Sequence, residues 1–347
     1  MILRRSRTAV AVDLGSRHIR LVAIERDGSK PRLVAFEREP IDPESVVAGE
    51  IMDFHRVAEA LRRVRERSGI RRRLAATSVS GRDVIVKRVR MDRMREAEAR
   101  QVIRWEAEQH VPFDIDSVSL DFEILDPDAV SPQMEVVIVA AKKDLVESRM
   151  RLLEEGGFEP AVIEIDAFAV QTVFEHGYEH ARYGTFCLLN IGYEITSLSL
   201  VRDARPLLTR DVATGERRFE EVLVEALGVT LEEARRRLQD PGALDPPARH
   251  ALAAVLDGFV TPVERARAYL ATSEGKAQDL DEVVLAGSGA CLPGLRDALA
   301  DRLGTPVTIL DPLRELEVDP AIRASLLDPA ARASLAIPVG LGLREEG

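Results

Sequence analysis

Asp13-Leu14-Gly15-Ser16 is the stretch of this chain whose residue types point most directly to chemistry. A carboxylate at the end of an apolar run can hold a water on Mg²⁺, and the N–H groups around Gly15 and Ser16 can face an anion. Apolar runs on both sides, within residues 9–24, read as strand, tight turn, strand. The same residues would also serve an ordinary hairpin, since Gly and Asp are what any turn prefers.

A second stretch changes that balance. Asn190 stands 177 residues after Asp13, and Gly192 the same distance after Gly15, again between two apolar runs. Two matching turns at half-chain distance imply an internal duplication with a cleft between the copies, able to clamp a phosphate chain from both sides. Further on, an apolar run at 282–286 leads into Gly287-Ser288-Gly289. A glycine-rich turn from strand to helix lets backbone approach a ligand, although it is also a common packing turn.

The elements that must position these residues follow from periodicity. Residues 31–38 read as a third strand, and 54–68 as a helix with Val57, Leu61 and Val64 on one face, stopped by Gly69. With a strand at 74–80 they make an α/β unit. Strand, helix, strand, strand and helix then follow at 83–90, 94–110, 118–125, 134–141 and 144–155, enough for a separate small subdomain with an exposed loop at 126–133. Trp105, the single tryptophan, is expected as a core anchor of its helix. Later come a strand at 161–165, a helix at 166–176, a strand at 206–212, helices to 238 and a linker at 241–247. Residues 248–273 are helical in period, with Pro262 kinking or dividing them. A strand at 307–310 and a terminal helix at 336–343, packing against the glycine turn, complete the chain.

The 347 residues are 46% hydrophobic and 31% charged, the composition of a soluble globular protein of two or more domains. A formal net charge of -11 spread along the chain gives no basic face for nucleic acid. Cys187 and Cys291 form no Cys-x-x-Cys pair, which fits a reducing cytosol and no disulfide or zinc scaffold. The basic start at 1–7 precedes an apolar run too short for an export signal or a membrane span. Membrane association is therefore expected only through a partner.

The two hairpins, the glycine turn and Ala336-Ile-Pro-Val-Gly340-Leu-Gly-Leu343 resemble, in order, the phosphate 1, phosphate 2, adenosine and second connecting motifs of the actin, Hsp70 and sugar-kinase superfamily. Val162-Ile-Glu-Ile-Asp166-Ala-Phe-Ala169 matches its first connecting motif. Within the inserted subdomain, Val84-Ile-Val-Lys-Arg-Val-Arg-Met91, Ile103-Arg-Trp105-Glu-Ala-Glu-Gln109-His-Val-Pro112-Phe113 and Val139-Ala-Ala-Lys142-Lys-Asp144 closely resemble the PilM family of type IV pilus assembly proteins, relatives of the division protein FtsA. The resemblance implies an α/β, actin-like fold, a duplicated ribonuclease H-like core of two domains with an inserted small α/β subdomain. The first domain would take residues 1–82 plus 157–182, the partner-docking insert 83–156, and the second domain 183–347, with a mainly helical part at about 213–278.

Functionally, the resemblance implies a cytoplasmic, ATP-binding scaffold held at the inner membrane through a partner. The groove between first domain and insert would capture the cytoplasmic tail of PilN, and through it connect to PilO, PilP and the pilus motor that drives twitching motility. ATP and Mg²⁺ would lie between the two halves. Asp13 would orient Mg²⁺ waters, Gly15 and Ser16 contact phosphate, Gly192 and Thr196 close the second hairpin, and Gly287 and Gly289 admit adenosine. Asn190, Gly215 and Ser288 complete the binding set. Three of these positions depart from the family pattern. Asn190 replaces an Asp and cannot act as a base, Glu216 follows Gly215 where a second Gly is usual, and Ser288 replaces a Gly. ATP binding is therefore expected, with hydrolysis weak or absent. The alternatives are a degenerate adaptor that keeps only the partner, and an ATPase or small-molecule kinase, which Asn190 disfavours.

Overall fold

The computed structural model describes residues 8–26, 30–42, 44–240, 242, 244–273 and 279–344. The basic start at 1–7 and positions 241 and 243 of the expected linker lie outside them. The chain begins with β1 (Thr8–Leu14), β2 (His18–Glu25) and β3 (Arg32–Pro40), followed by the tiny hairpin β4 (Val46–Val47) and β5 (Glu50–Ile51), then α1 (Phe54–Ser68) and β6 (Leu74–Val79). The α1 boundaries come from local chemistry. The Asp53 carboxylate accepts the Arg56 N–H at the start, and Gly69 at φ 64° ends the helix in the left-handed region. An insert follows, β7 (Val84–Asp92), α2 (Glu96–Glu108), β8 (Val118–Ile124) and β9 (Gln133–Lys142), after which α3 (Lys143–Glu155) returns to pack on α1 and the first half. Next come β10 (Glu159–Ile165), α4 (Asp166–Gly177), β11 (Thr185–Ile191), β12 (Thr196–Arg202) and β13 (Arg205–Val212).

The second half continues with α5 (Glu216–Leu227), α6 (Leu231–Gln239), α7 (Pro246–Ala253), α8 (Asp257–Ser273), β14 (Glu282–Ala286), α9 (Leu295–Leu303) and β15 (Val307–Ile309), and then β16 (Glu317–Val318), α10 (Pro329–Ala333) and α11 (Ala336–Leu343). The expected linker at 241–247 is shorter than read, because Asp245 caps α7 and Pro246 takes its first position. Pro262 lies inside the continuous helix α8 and does not divide it.

The duplication is visible in the sheets. One runs β10-β6-β1-β2-β3-β16 and another β13-β12-β11-β14-β15, so each half has a three-stranded antiparallel meander whose first strand pairs in parallel with a later one. Strand alternation divides the core as a period of two demands. Val10 and Val12 face α1 and α3, whereas Ala11 faces a layer holding α4 and α11. Likewise Leu189 and Ile191 face the outer helices of the second half, and Phe186 and Leu188 the shared middle layer. The insert has its own sheet, β7-β9-β8, with α2 on the face carrying Met134, Val136 and Ile138.

Three expectations need correction. Trp105 is 70% exposed, because Ala99, Ile103 and Ala107 form the buried stripe of α2 and Trp105 falls off it. The terminal helix α11 packs on α4, β1, β2 and β6; the glycine turn is covered instead by α10, through Gly287 N–H donating to the Ala333 carbonyl. Residues 183–347 are not one domain either: β16 pairs in parallel with β3, returning the chain to the first sheet.

Candidate functional site

The C-terminal ends of β1 and β11 meet across a cleft of about 300 Å³, lined by Asp13, Gly15 and Ser16 from the first turn and Asn190 and Gly192 from the second. Gly287 and Ser288, just past β14, also line it. A cavity of about 580 Å³ shares Arg17, Glu216 and Ser288 with this cleft and continues it between α6 and α10. Both turns are braced by their own backbone, Gly15 N–H to the His18 carbonyl at 3.0 Å and Gly192 N–H to the Ile195 carbonyl at 3.0 Å.

Three expected contacts lie behind the cleft. Thr196 is 1% exposed and donates to the Thr214 carbonyl at 2.6 Å, tying β12 to the segment before α5. A Cβ on Gly215 would come within 2.5 Å of the Gly192 and Tyr193 carbonyl oxygens. Gly289 abuts the Ile191 side chain. These glycines let two turns of the protein touch each other. Gly287 does both jobs: it lines the cleft, and at φ 81° its Cβ would meet the Ile191 oxygen at 2.5 Å.

Asp13 is 4% exposed, and its Oδ2 accepts from Arg20 Nη1 at 2.9 Å. Burial pushes its carboxyl up to about 6 against the pull of the Arg20 guanidinium. Arg20 is itself held by Ser334, through Nε to Oγ at 3.0 Å. Burial, with the Arg20, Arg38 and Arg17 charges, pushes the neighbouring His18 imidazole down to about 3, so it is neutral at physiological pH.

Glu194, in the second turn, reaches across to the first half. Its Oε2 accepts from Ser16 Oγ at 3.3 Å and from the Ala48 N–H at 2.8 Å, and its Oε1 from Arg217 at 3.1 Å. The Glu216 carboxylate accepts from Ser288 Oγ, so two of the family departures satisfy each other. Burial raises the Glu216 pKa above the usual carboxylate range. Beyond it, Glu220 gathers Tyr193 at 2.9 Å, Arg235 at 3.0 Å and Arg17 at 3.3 Å.

Arg149 and Asp166 also line the cleft. Arg149 comes from α3 and is 3% exposed; Nη2 donates to the Gly49 carbonyl at 2.6 Å and Nε to the Ser78 carbonyl at 3.4 Å, while Nη1 has no partner. One signal could have revealed it. The buried stripe of α3 reads Leu145, Arg149, Leu152, Leu153, with an arginine in an apolar register.

Among the described residues no group of three or more His, Cys, Asp or Glu is placed to hold a metal ion. Asp13 is engaged by Arg20, and its counterpart Asn190 is neutral, so the residues present do not fit a Mg²⁺ site.

A separate groove of about 890 Å³ runs between the insert and the first half. Its walls are β8 and β10, each the last strand of its sheet. Val139, Ile163 and Phe168 give it an apolar floor, while Asp121, Glu123, Glu164 and Glu175 line it against Arg100 and Arg344. Burial raises the pKa of both Glu164 and Glu175. Among the described residues no single helix is long and apolar enough to cross a membrane.

The fold has counterparts among solved structures. A solved structure described as the PilM-PilN type IV pilus biogenesis complex is 26% identical, with a TM-score of 0.85 over 97% of this chain and 98% of that one. Ethanolamine utilization protein EutJ from Carboxydothermus hydrogenoformans shares 16% identity and a TM-score of 0.61, over 97% and 89% of the two chains. MreB5 of Spiroplasma citri bound to AMPPNP gives 12% identity and a TM-score of 0.53, over 97% and 95%. The last two show the actin-like ATPase fold. The model of the family described as type IV pilus assembly protein PilM matches residues 11–346, which takes in both hairpins, the insert and α11, and so the chain belongs to that family.

Proposed function

We propose that this chain is an actin-like scaffold of type IV pilus assembly that docks the cytoplasmic tail of PilN in the groove between β8 and β10. The groove carries this reading. It is open along two terminal strands, so an extended peptide can add backbone hydrogen bonds to either edge while apolar side chains enter beside Phe168 and Ile163. Its acidic lining suits the basic residues that flank a membrane span on the cytoplasmic side. PilN would place the protein at the inner membrane and connect it to PilO, PilP and the motor. The likeness to the PilM-PilN complex supports the pairing. A synthetic peptide of the cognate PilN tail should bind the full chain by calorimetry, and Phe168→Glu should abolish the heat. Unchanged affinity in that variant would place the tail elsewhere.

The cleft is read as a nucleotide site, with ATP as a structural or switching ligand. Ser16 and the first turn would hold phosphate, and the cavity beside Ser288, Leu292 and Leu238 is shaped for a base. Hydrolysis is read as weak or absent, because Asn190 cannot act as a base and the Asp13 carboxylate is held by Arg20. ATP should raise the melting temperature of the purified chain. No shift at saturating ATP would favour an adaptor without nucleotide.

A further inference from the structure

Every buried cation in this molecule needs an account, because an unsatisfied buried donor costs stability. That of Arg149 is incomplete. Its Nη1 is sealed from solvent and meets no acceptor, although the other two guanidinium nitrogens are fixed by the Gly49 and Ser78 carbonyls. Those two bonds hold the group rigidly at the cleft wall, between the ends of β5 and β6. Asp166 and Asp13 act on it through space without forming an ion pair with it. A guanidinium fixed at two nitrogens with the third, an NH2 group, left over is preorganised for an oxygen anion.

The charge pattern says which anion. The cleft is lined by the carboxylates Asp13, Asp166, Glu194 and Glu216 and by the guanidiniums of Arg17, Arg20, Arg38 and Arg149, of which Arg149 is the buried one with an unpartnered nitrogen. Arg20 is spent on Asp13 and Ser334, Arg17 on Glu220, and Arg38 is exposed at the cleft's edge. Arg149, with Nη1 unpartnered, is therefore the buried cation left for phosphate charge, and among the described residues no group of three or more His, Cys, Asp or Glu is placed to bring a metal there.

We propose that Arg149 binds the outermost phosphate of a nucleotide in the cleft, supplying the positive charge that a divalent cation would otherwise bring. This rests on reading the cleft as a nucleotide site. The contact also has a route outward. Arg149 sits on the cleft side of α3, and Val146, one turn earlier on the same helix, lines the partner groove. A phosphate pulling on Arg149 therefore acts on a wall of that groove.

The test is calorimetry of the full chain with ATP and with ADP, each in EDTA and in Mg²⁺. Expected is a preference for ATP of at least tenfold in EDTA, little changed by Mg²⁺, and lost in Arg149→Met through weaker ATP binding with ADP unchanged. Equal affinities in EDTA, or a preference that appears only with Mg²⁺, overturns the assignment while leaving the nucleotide site standing. Binding of neither nucleotide removes both. The wild-type ratio in EDTA needs no variant, so misfolding of Arg149→Met does not blunt the test. Arg149→Lys, which keeps charge but loses the fork, should retain part of the preference.

Discussion

Asp13→Asn should change how stability depends on pH. In the folded chain burial lifts the Asp13 carboxyl to about 6 from an ordinary value of 3.8. The folded state therefore binds this proton more tightly than the unfolded state, and ionising Asp13 opposes folding as pH rises from about 4 to about 6. A shift of that size corresponds to about 3 kcal/mol once pH is above both values, at ~1.4 kcal/mol per unit. About 1.3 kcal/mol of it is incurred between pH 5 and pH 7. The carboxyl is 4% exposed, so solvent screening does not reduce the figure. Asn keeps the shape and an oxygen for Arg20 but has nothing to titrate. Urea unfolding of both proteins at pH 5 and pH 7 isolates the effect, since Glu164, Asp211 and Glu216, also raised by burial, titrate in each. Wild type should lose about 1 kcal/mol more than Asp13→Asn over that interval. Parallel pH profiles would refute the assignment of a buried, costly carboxylate at this turn.

Other outcomes follow from packing and exposure. Gly340→Ala should destabilise by about 2 kcal/mol or more, because the new Cβ overlaps the Ala169 carbonyl where α11 crosses α4; an unchanged melting curve would contradict that crossing. Trp105, 70% exposed, should emit as a water-exposed indole in the native protein and be freely quenched by acrylamide, and a blue-shifted, protected signal would overturn its placement. Burial pushes the Cys187 thiol up to about 12, and burial likewise raises Cys291. A disulfide reagent should therefore find less than stoichiometric thiol at pH 8 until the chain is unfolded, and rapid native labelling of both would refute it.

Periodicity made most of the elements legible. The strands β1 and β11 announce themselves because one apolar face meets outer helices and the other a middle layer, so both faces are apolar and the turns stand out between them. The duplication was readable because the two turns share one spacing. Less legible was why particular residues are where they are. Gly215 and Gly289 were read as room for a ligand, whereas their Cβ positions are filled by the protein itself. Arg149, Asp166 and Glu194 reach the cleft from three separate elements, and only tertiary packing brings them together. Aromatic size points Trp105 inward, but its position off the buried stripe of α2 leaves it in solvent. The two-residue strand β16 has no pattern to read at all.

That short strand has a consequence for biosynthesis. The first sheet acquires its sixth strand from residues 317–318, and its inner face is covered by α11, all eight of whose residues are buried. While a ribosome is still making the second half, the first therefore stands with β3 as an open edge and the apolar surface of β1, β2 and β6 unroofed. The order of emergence reverses the order of completion: the half that leaves first is finished last. A truncation after β15 would leave the β3 edge unpaired and take the cover from the middle layer that both halves share.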